Sequence, residues 1–304
     1  MLEIQPLSPR IGARITNLDL GHPIREQDFR ALEEVWNERH LLVFPEQKSL
    51  PIEAQTALLA RFGPIIEERV PGEKHSYVSN ADGLGTDEMN EGYREGELTA
   101  HMDYTYTPYP ADVISLYCTE LPEGGSETRF YDNVTPLSKM PPDLRERLAE
   151  YHVLCAHDLS TMKPDAKLYL EERTKPEAPT QSHVWPMIRP HPTKPGVEAL
   201  VCTLQQTERV LELSDEANDD AESRALLGRI FDDFLYVPEN EYVHAWQVDD
   251  LVIWDNAALQ HARPACPRSR GARSFRRVAV CAAGNAIQET VQFLSLADSS
   301  VAFS

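Results

Sequence analysis

The sequence predicts a mostly β protein with flanking helices, arranged as a β-barrel or a jelly roll. Three observations predict this fold. Many short stretches alternate apolar and polar residues, as half-buried strands do. Clusters of Gly, Pro, Asn and Asp separate these stretches, as turns separate neighbouring strands. Helical patterns are few and lie early and late in the chain, so we expect the helices to pack outside the strands.

The first part of the chain mixes strand and helix patterns. Residues 2–20 predict short strands, interrupted by proline and glycine. Residues 25–39 place their apolar side chains on one face of a helix, and 41–45 (LLVFP) predict a short buried strand. A second amphipathic helix is predicted over 52–63, where glycine followed by proline ends it.

The region 65–100 shows neither the helical nor the strand periodicity of apolar residues, and it is rich in glycine and acidic residues. We interpret it as one long loop, and such loops in compact domains are either functional or disordered. It leads directly into His101, a candidate metal ligand described below, so it could form a lid over a site there. The alternative is a plain excursion of the chain on the surface. The proline-bearing stretch 160–187 is interpreted as a variable insert. With these additions, 1–304 is expected to form a single domain.

The remaining patterns continue the β-rich arrangement. Helices are predicted over 141–151 and 219–236, each with apolar residues on one face. Strands are predicted elsewhere, over 111–133 (two strands with a turn between them), 153–159, 187–204 (a strand pair), 241–264 (two strands) and 272–284 (the last core strand).

Composition excludes several classes of function. The chain has 304 residues and a formal net charge of −20. This charge argues against nucleic acid, whose binding needs clustered Lys and Arg, and against an anionic membrane surface. The sequence has no run of about 18 uncharged apolar residues, so no membrane span is predicted. The N-terminus lacks a basic region followed by an apolar run, so no signal peptide is predicted.

The five cysteines are scattered along the chain and form no CxxC pair. An odd number without such spacing argues against both a disulfide framework and a structural zinc site. We therefore expect reduced, partly buried thiols in a cytoplasmic protein.

A candidate metal site begins with His101 and Asp103, which lie two residues apart on a stretch expected to be extended. At that spacing both side chains project to the same side of the strand. Of the 10 histidines, only His101 is followed by Asp two residues later. A distant histidine would complete a two-histidine, one-carboxylate set, which holds Fe(II) on one face and leaves the other open.

His261 is the candidate for that third ligand. It ends the apolar run DDLVIWDNAALQH, so it follows a buried strand, and a jelly roll brings distant strands together at one open end. The alternative is that His101 and Asp103 are two solvated loop side chains and that His261 only caps a strand.

Arg273 and Arg277 lie four residues apart on a predicted strand, so they share one face with Phe275 while Arg276 points away. Buried arginines need anions to compensate them, and the guanidinium fork fits a carboxylate. This face is therefore predicted to bind carboxylates. Salt bridges to some of the 49 acidic residues are the alternative.

Several motifs, in their order along the chain, resemble the taurine dioxygenase (TauD/TfdA) family of Fe(II)- and 2-oxoglutarate-dependent oxygenases. They cover nearly the whole sequence, and the family implies a cupin-like, double-stranded β-helix core. The matching motifs are IQPLSPRIGARITNLDL, LLVFP, ARFG, HMD, ELPEGGSET, HP…G…AL over 191–200, and DLVIWDNAALQH.

This resemblance implies a set of ligand-binding residues. His101, Asp103 and His261 match the iron ligands of the family. Thr128, in GGSET, matches the threonine whose hydroxyl contacts a carboxylate of 2-oxoglutarate. Arg273 matches the arginine that binds the far carboxylate of this co-substrate.

Two further positions concern the substrate. Arg277 lies where taurine dioxygenase has its sulfonate-binding arginine, and Leu159 falls near a substrate-pocket position. The sequence departs from the family in its interval from His261 to Arg273, which is slightly longer. The least similar regions are the loop and the insert described above.

The resemblance implies an enzyme that uses Fe(II), 2-oxoglutarate and O₂ to oxidise a C–H bond of a small, anionic substrate, with release of succinate and CO₂. Hydroxylation is the expected outcome, and desaturation or cyclisation by the same centre is the alternative. A jelly-roll metal protein that is not an oxygenase, and a binding protein without catalysis, are the other hypotheses. The expected partner is a small molecule rather than nucleic acid or membrane, and a homo-oligomer is left open.

Overall fold

The computed structural model describes residues 2–68, 72–81, 94–157, 181–214 and 220–284. Strands dominate these ranges, and helices flank them. The strands are β1 (Glu3–Pro6), β2 (Ala13–Thr16), β3 (Leu41–Phe44), β4 (Ser76–Ser79), β5 (Leu98–His101), β6 (Val113–Glu120), β7 (Glu127–Asp132), β8 (His152–His157), β9 (Gln181–Pro186), β10 (Ile188–Pro190), β11 (Glu198–Leu200), β12 (Thr207–Val210), β13 (Glu241–Ala245), β14 (Leu251–Asp255), β15 (Leu259–Arg263) and β16 (Ser274–Val280).

The helices are shorter and lie between the strands. The helix over Ala221–Ile230 continues directly into a π-helical turn over Phe231–Leu235. The α-helices are α1 (Glu26–Arg39), α2 (Ile52–Leu59), α3 (Thr135–Lys139), α4 (Pro142–Ala149) and α5 (Ala221–Ile230). No helix among the described residues is both long and apolar enough to cross a bilayer.

Eight strands are shared equally between two sheets, and the chain changes sheet at each step among them except from β7 to β13, as in a double-stranded β-helix. The larger sheet has the order β1-β2-β3-β14-β6-β16-β4, and the smaller has the order β13-β7-β15-β5. Along the chain, β4, β6, β14 and β16 enter the larger sheet, whereas β5, β7, β13 and β15 enter the smaller one. The predicted jelly roll is confirmed.

Apolar side chains from both sheets form one core between them. Phe130 of β7 packs edge-on against Trp254 of β14, with ring centroids 5.6 Å apart. Phe275 of β16 belongs to the same buried cluster, as does Trp246 just after β13. The open end of this core carries the candidate site.

A second core joins the outer face of the larger sheet to α1 and α2. Phe29, Leu32 and Trp36 recur at helical spacing on α1 and are buried there against Leu42 and other strand residues. The helix ends at His40, whose φ of 61° lies in the left-handed region and whose N–H donates to the Trp36 carbonyl. Helices α3 to α5 cover a third core with β8, β10, β11 and β12.

Parts of the sequence interpretation are wrong. The region 65–100 is not one loop, because it contains β4 and β5, and β4 exists through its pairing with β16. The lid was predicted over 65–100, and residues 69–71 and 82–93 of this range lie outside the described residues. The insert 160–187 ends in a regular strand, β9, paired with β8, and its residues 160–180 also lie outside the described ranges. Helix α2 ends earlier than predicted, at Leu59.

All five cysteines are buried and free, as expected for thiols rather than disulfides. Burial raises the pKa of the Cys155 thiol to about 12, which keeps it protonated and unreactive at neutral pH.

Candidate active site

His101 and His261 face each other across two paired strands of the smaller sheet. They are direct partners in the antiparallel register of β5 with β15, and their ring centroids lie 4.1 Å apart. The sequence analysis expected His261 just beyond a strand, but it lies within β15. The strand pairing itself therefore sets the distance between the two imidazoles.

Asp103 joins this pair from the turn that follows β5. The backbone at Tyr104 adopts a left-handed conformation, with a φ of 64°, and the Asp103 side chain lies beside both histidines. Its Oδ1 lies 3.3 Å from Nε2 of His101 and 3.9 Å from Nε2 of His261. One ligand atom from each of the three residues lies within 4.8 Å of the others.

Neighbouring backbone and side-chain groups orient these ligands. The carbonyl of Thr99 lies 2.8 Å from Nδ1 of His101, which places the proton on that nitrogen and leaves Nε2 free. The amide of Asn256 holds the Asp103 backbone from both sides: its Oδ1 accepts from the Asp103 N–H at 2.9 Å, and its Nδ2 donates to the Asp103 carbonyl at 3.1 Å. His261 is instead held by packing against Trp254, with centroids 4.9 Å apart.

The protonation states favour metal binding. Burial, reinforced by the neighbouring His101 ring, lowers the pKa of His261 to about 3, so its imidazole is neutral. Burial alone would raise the pKa of the Asp103 carboxyl, but the Arg277 guanidinium holds this pKa well below its usual range. Two imidazoles and one carboxylate, grouped together, are the donor set that suits Fe(II) with open coordination positions.

Arg273 lies directly before β16 and is a buried cation without a carboxylate beside it in the described ranges. Its Nε donates to Ser126 Oγ at 2.9 Å, and its guanidinium stacks 4.3 Å from the Phe275 ring centre. Burial, and then the neighbouring Arg263, lower the pKa of Arg273 to about 9. A buried guanidinium in this condition is stabilised by an incoming anion, so a ligand carboxylate fits here.

Thr128 lies on β7, two residues beyond Ser126, and the two side chains share a face of the strand. Nε1 of Trp246 donates to Thr128 Oγ1 at 2.9 Å. A hydroxyl has one proton and two acceptor positions. With one acceptor position occupied by Trp246, the Thr128 proton can be donated to a carboxylate beside Arg273.

Arg277 shares a face of β16 with Arg273, and the intervening Arg276 points to the opposite side, as predicted. Arg276 donates from Nε to Gln55 at 2.7 Å, in the layer of helix α2. Arg277 instead lies between two carboxylates: Nη1 donates to Asp103 Oδ2 at 2.7 Å, and Nη2 donates to Glu68 Oε1 at 2.7 Å. The salt-bridge alternative therefore describes the contacts of Arg277, although not those of Arg273.

Leu159, the other predicted substrate residue, lies outside the described residues. Sequence reasoning missed four side chains that shape the site, namely Glu68, Ser126, Trp246 and Asn256. Ser126 and Asn256 lie inside the quoted motifs GGSET and WDN and could have been noticed there. Glu68 belongs to an acidic pair with no distinguishing pattern.

Comparison with known proteins identifies the family. The model of the taurine catabolism dioxygenase TauD, TfdA family matches residues 3–279. Pentalenolactone F synthase of Streptomyces arenae is 28% identical over 270 residues, covering 84% of this chain and 85% of that protein. The (S)-phenoxypropionate/alpha-ketoglutarate-dioxygenase of Sphingobium herbicidovorans is 28% identical over 270 residues, covering 85% of this chain and 88% of that protein.

The fold agrees with this result. A solved structure of a taurine dioxygenase from Burkholderia xenovorans matches with a TM-score of 0.73 at 20% identity, covering 92% of this chain and 90% of that one. Together with the family match over nearly the whole chain, these findings show that the protein belongs to the TauD/TfdA family and is a 2-oxoglutarate-dependent non-haem iron dioxygenase.

Proposed function

We propose that the protein hydroxylates a C–H bond of a small organic substrate, with release of succinate and CO₂ from 2-oxoglutarate. The observation that carries this proposal is the convergence of His101, Asp103 and His261, together with a buried Arg273 that has no carboxylate partner among the described residues. Fe(II), when bound with 2-oxoglutarate and O₂, supplies the oxidising chemistry. The protein supplies binding, orientation and exclusion of competing reactions.

His101 and His261 would hold the iron through Nε2, and Asp103 would hold it through Oδ1. The Thr99 carbonyl keeps the correct nitrogen of His101 unprotonated. The Asn256 amide keeps Asp103 at the turn that brings its carboxylate to the histidines. Fe(II) held by these three residues would keep open positions for the co-substrate and for oxygen.

Arg273 and Thr128 would bind the far carboxylate of 2-oxoglutarate. Ser126 fixes the Arg273 guanidinium by accepting from Nε, so the terminal nitrogens remain for the ligand. Trp246 donates to the Thr128 hydroxyl oxygen, so the hydroxyl proton is available for donation to the carboxylate. A charge-assisted pair with a fixed geometry orients the co-substrate as well as binding it.

The substrate is proposed to be a small organic molecule, in keeping with the relatives, whose names refer to phenoxypropionate and pentalenolactone. The prediction that Arg277 binds an acidic group of the substrate is untested, and the ion pairs of Arg277 with Asp103 and Glu68 argue against it. A role for Leu159 stays a prediction. The same applies to a single domain over 1–304, a lid within 65–100 and a homo-oligomeric state.

The test is a binding measurement followed by an assay. Under anaerobic conditions, Fe(II) and 2-oxoglutarate should together produce the metal-to-ligand charge-transfer absorption of a chelate in the wild-type protein. Arg273→Gln should weaken 2-oxoglutarate binding by about 10-fold or more, because it removes a charge-assisted pair. Arg276→Gln is the matched control, since this neighbouring arginine contacts Gln55 on the other face of β16 and should leave the affinity unchanged.

Succinate formation from 2-oxoglutarate on admission of O₂, even without a substrate, would support an oxygenase. If the chelate and succinate both fail to form, the site belongs to a metal protein of another kind. Once a substrate is found, an added oxygen atom in the product indicates hydroxylation, whereas loss of two hydrogens indicates desaturation or ring closure.

A further inference from the structure

The carboxylate of Glu68 forms a buried ion pair with the guanidinium of Arg277. Nε of Arg277 donates to both Glu68 oxygens, at 3.0 and 2.8 Å, and Nη2 donates to Oε1 at 2.7 Å. Only 3% of the Glu68 side chain and 7% of the Arg277 side chain are exposed. This is a buried fork-to-carboxylate pair, the geometry in which arginine binds an acidic ligand.

Other groups hold Glu68 in this position. The hydroxyl of Tyr104 donates to Oε1 at 3.0 Å, and that of Ser76, on β4, donates to Oε2 at 3.4 Å. Tyr104 directly follows the metal-site residue Asp103, so the Glu68 carboxylate is hydrogen-bonded both to the turn that carries Asp103 and to β4. Each of its oxygens has a partner in addition to Arg277.

Arg277 has no guanidinium nitrogen left over. Nη1 donates to Oδ2 of Asp103 at 2.7 Å, while Nε and Nη2 serve Glu68. An acidic group on the substrate could take the Nε and Nη2 fork of Arg277 only by displacing Glu68, and any other approach would add a third anion to a guanidinium whose single charge already faces two carboxylates. Displacement would leave a buried carboxylate without its counter-charge, which is strongly unfavourable.

We propose that Glu68 is a built-in carboxylate that fills the anion-binding position beside the metal, so that the enzyme selects substrates that are uncharged at the end facing Arg277. This inference rests on the proposed function. Arg277 is then a positioning residue that holds Asp103, and Glu68 is a specificity-determining residue.

The charges beside Arg277 support this substrate class. Its single positive charge already faces two carboxylates, those of Glu68 and Asp103. An anionic substrate would add a third negative charge at this buried guanidinium, which is costly, whereas an uncharged substrate would add none.

The test compares the wild type with Glu68→Gln, using methanesulfonate and dimethyl sulfone as probes. These two molecules have nearly the same size, but only the first is charged. Binding is measured by calorimetry on the metal-free protein, and by the shift of the charge-transfer absorption on the protein loaded with Fe(II) and 2-oxoglutarate. Glu198→Gln is the matched control, because it breaks an exposed pair with Arg145 far along the chain from the site.

We expect the wild type and Glu198→Gln to show no saturable binding of methanesulfonate. Glu68→Gln should bind it at least about 10-fold more tightly, since a freed guanidinium can pair with a sulfonate. Adding Arg277→Gln to Glu68→Gln should remove the gain, and binding of dimethyl sulfone should stay the same throughout.

Saturable binding of methanesulfonate by the wild type, in preference to dimethyl sulfone, would overturn the proposal, and this measurement holds even if Glu68→Gln does not fold. A folded Glu68→Gln variant that gains no affinity for methanesulfonate would overturn it too. Failure of the proposed function is distinguishable, because it removes the charge-transfer absorption but leaves the comparison on the metal-free protein intact.

Discussion

Single side chains outside the ligand set determine whether the metal site is well ordered. Asn256 is fully buried and uses both ends of its amide on the backbone of Asp103. Its Nδ2 also donates to the carbonyl of Ala111 at 2.8 Å, which anchors the far end of the same turn. The position of one ligand therefore depends on a residue that does not touch the metal.

Replacement of Asn256 by alanine should weaken metal binding by about 10- to 100-fold, the range found when groups that orient a ligand are removed. Titration of the apo protein with Fe(II) or Mn(II) measures this affinity. Asn240→Ala is a suitable control, because Asn240 is also a buried amide that donates to two backbone carbonyls, those of Asp132 and Leu235. It should lower stability without changing metal affinity, and equal metal affinities for both variants would refute the role of Asn256.

At the scale of elements, a buried cluster ties the end of α1 to the end of β14. Nζ of Lys194 lies 2.7 Å from Asp255 Oδ2 and 2.7 Å from His40 Nδ1, and it donates to the Trp36 carbonyl at 3.0 Å. His191 lies on the other side of Asp255, with Nε2 2.9 Å from Oδ2. The cluster fixes the position of β14, which leads into Asn256.

Lys194→Met should lower the free energy of unfolding by about 3 kcal/mol, because it leaves Asp255 with less compensation in a buried position. Chemical denaturation monitored by circular dichroism measures the change. Lys139→Met, at an exposed position in α3, should change the stability by no more than about 0.5 kcal/mol. A small effect at both positions would show that the ion cluster is not a stabilising link.

The same cluster predicts a dependence of stability on pH. Burial, and then the charge of Lys194, lower the pKa of His40 in the folded protein from 6.5 to about 4. Between these values the unfolded chain binds the proton and the folded protein does not. Stability due to this group is therefore complete above pH 6.5 and is lost as the pH falls towards 4, by on the order of 1–3 kcal/mol.

Denaturation curves at several pH values measure this loss, and His40→Asn is the informative variant. Asparagine tolerates the left-handed conformation that residue 40 adopts and does not titrate in this range. The variant should show a shallower fall in stability between pH 6.5 and 4. An unchanged slope would exclude His40 as the titrating group.

At the scale of the whole molecule, the larger sheet separates two cores. Its inner face packs against the smaller sheet and the site, and its outer face packs against α1 and α2. Changes in the outer core should therefore alter stability with little effect on ligand binding.

Leu32→Ala, in the fully buried face of α1, should cost about 2–5 kcal/mol of stability and leave the affinity for 2-oxoglutarate unchanged below the unfolding transition. Phe275→Leu, in the inner core, should lower both the stability and the affinity for 2-oxoglutarate, because the Phe275 ring packs against the Arg273 guanidinium. Denaturation and co-substrate titration of each variant test this separation. Equal losses of affinity in both variants would contradict it.

The fold and most of the site could be predicted from the sequence because their signals are local. His101 and Asp103 are close in sequence, and the alternation around Arg273 and Arg277 shows which side chains share a face. The partner of Arg277 could not be predicted in this way. Glu68 reaches it through the packing of distant segments, and no local pattern distinguishes Glu68 from its acidic neighbour.

Strand β4 was missed for a related reason. Its four residues, SYVS, are too few for a period to stand out, and they become a strand because β16 offers them an unpaired edge. The same pairing brings Ser76 to Glu68. Tertiary context thus decides both the element and the contact.

The register that pairs His101 with His261 has a consequence for how the protein is made. It joins β5 to β15, about 160 residues further along the chain, so the ligand set depends on a contact of large sequence separation, and the entropy of closing this long loop opposes its early formation. The metal cannot template early folding here, as it does in small zinc-dependent domains. We therefore predict that metal binds after the fold has formed, so that refolding of the apo chain, followed by stopped-flow fluorescence, proceeds at the same rate with or without metal in the buffer.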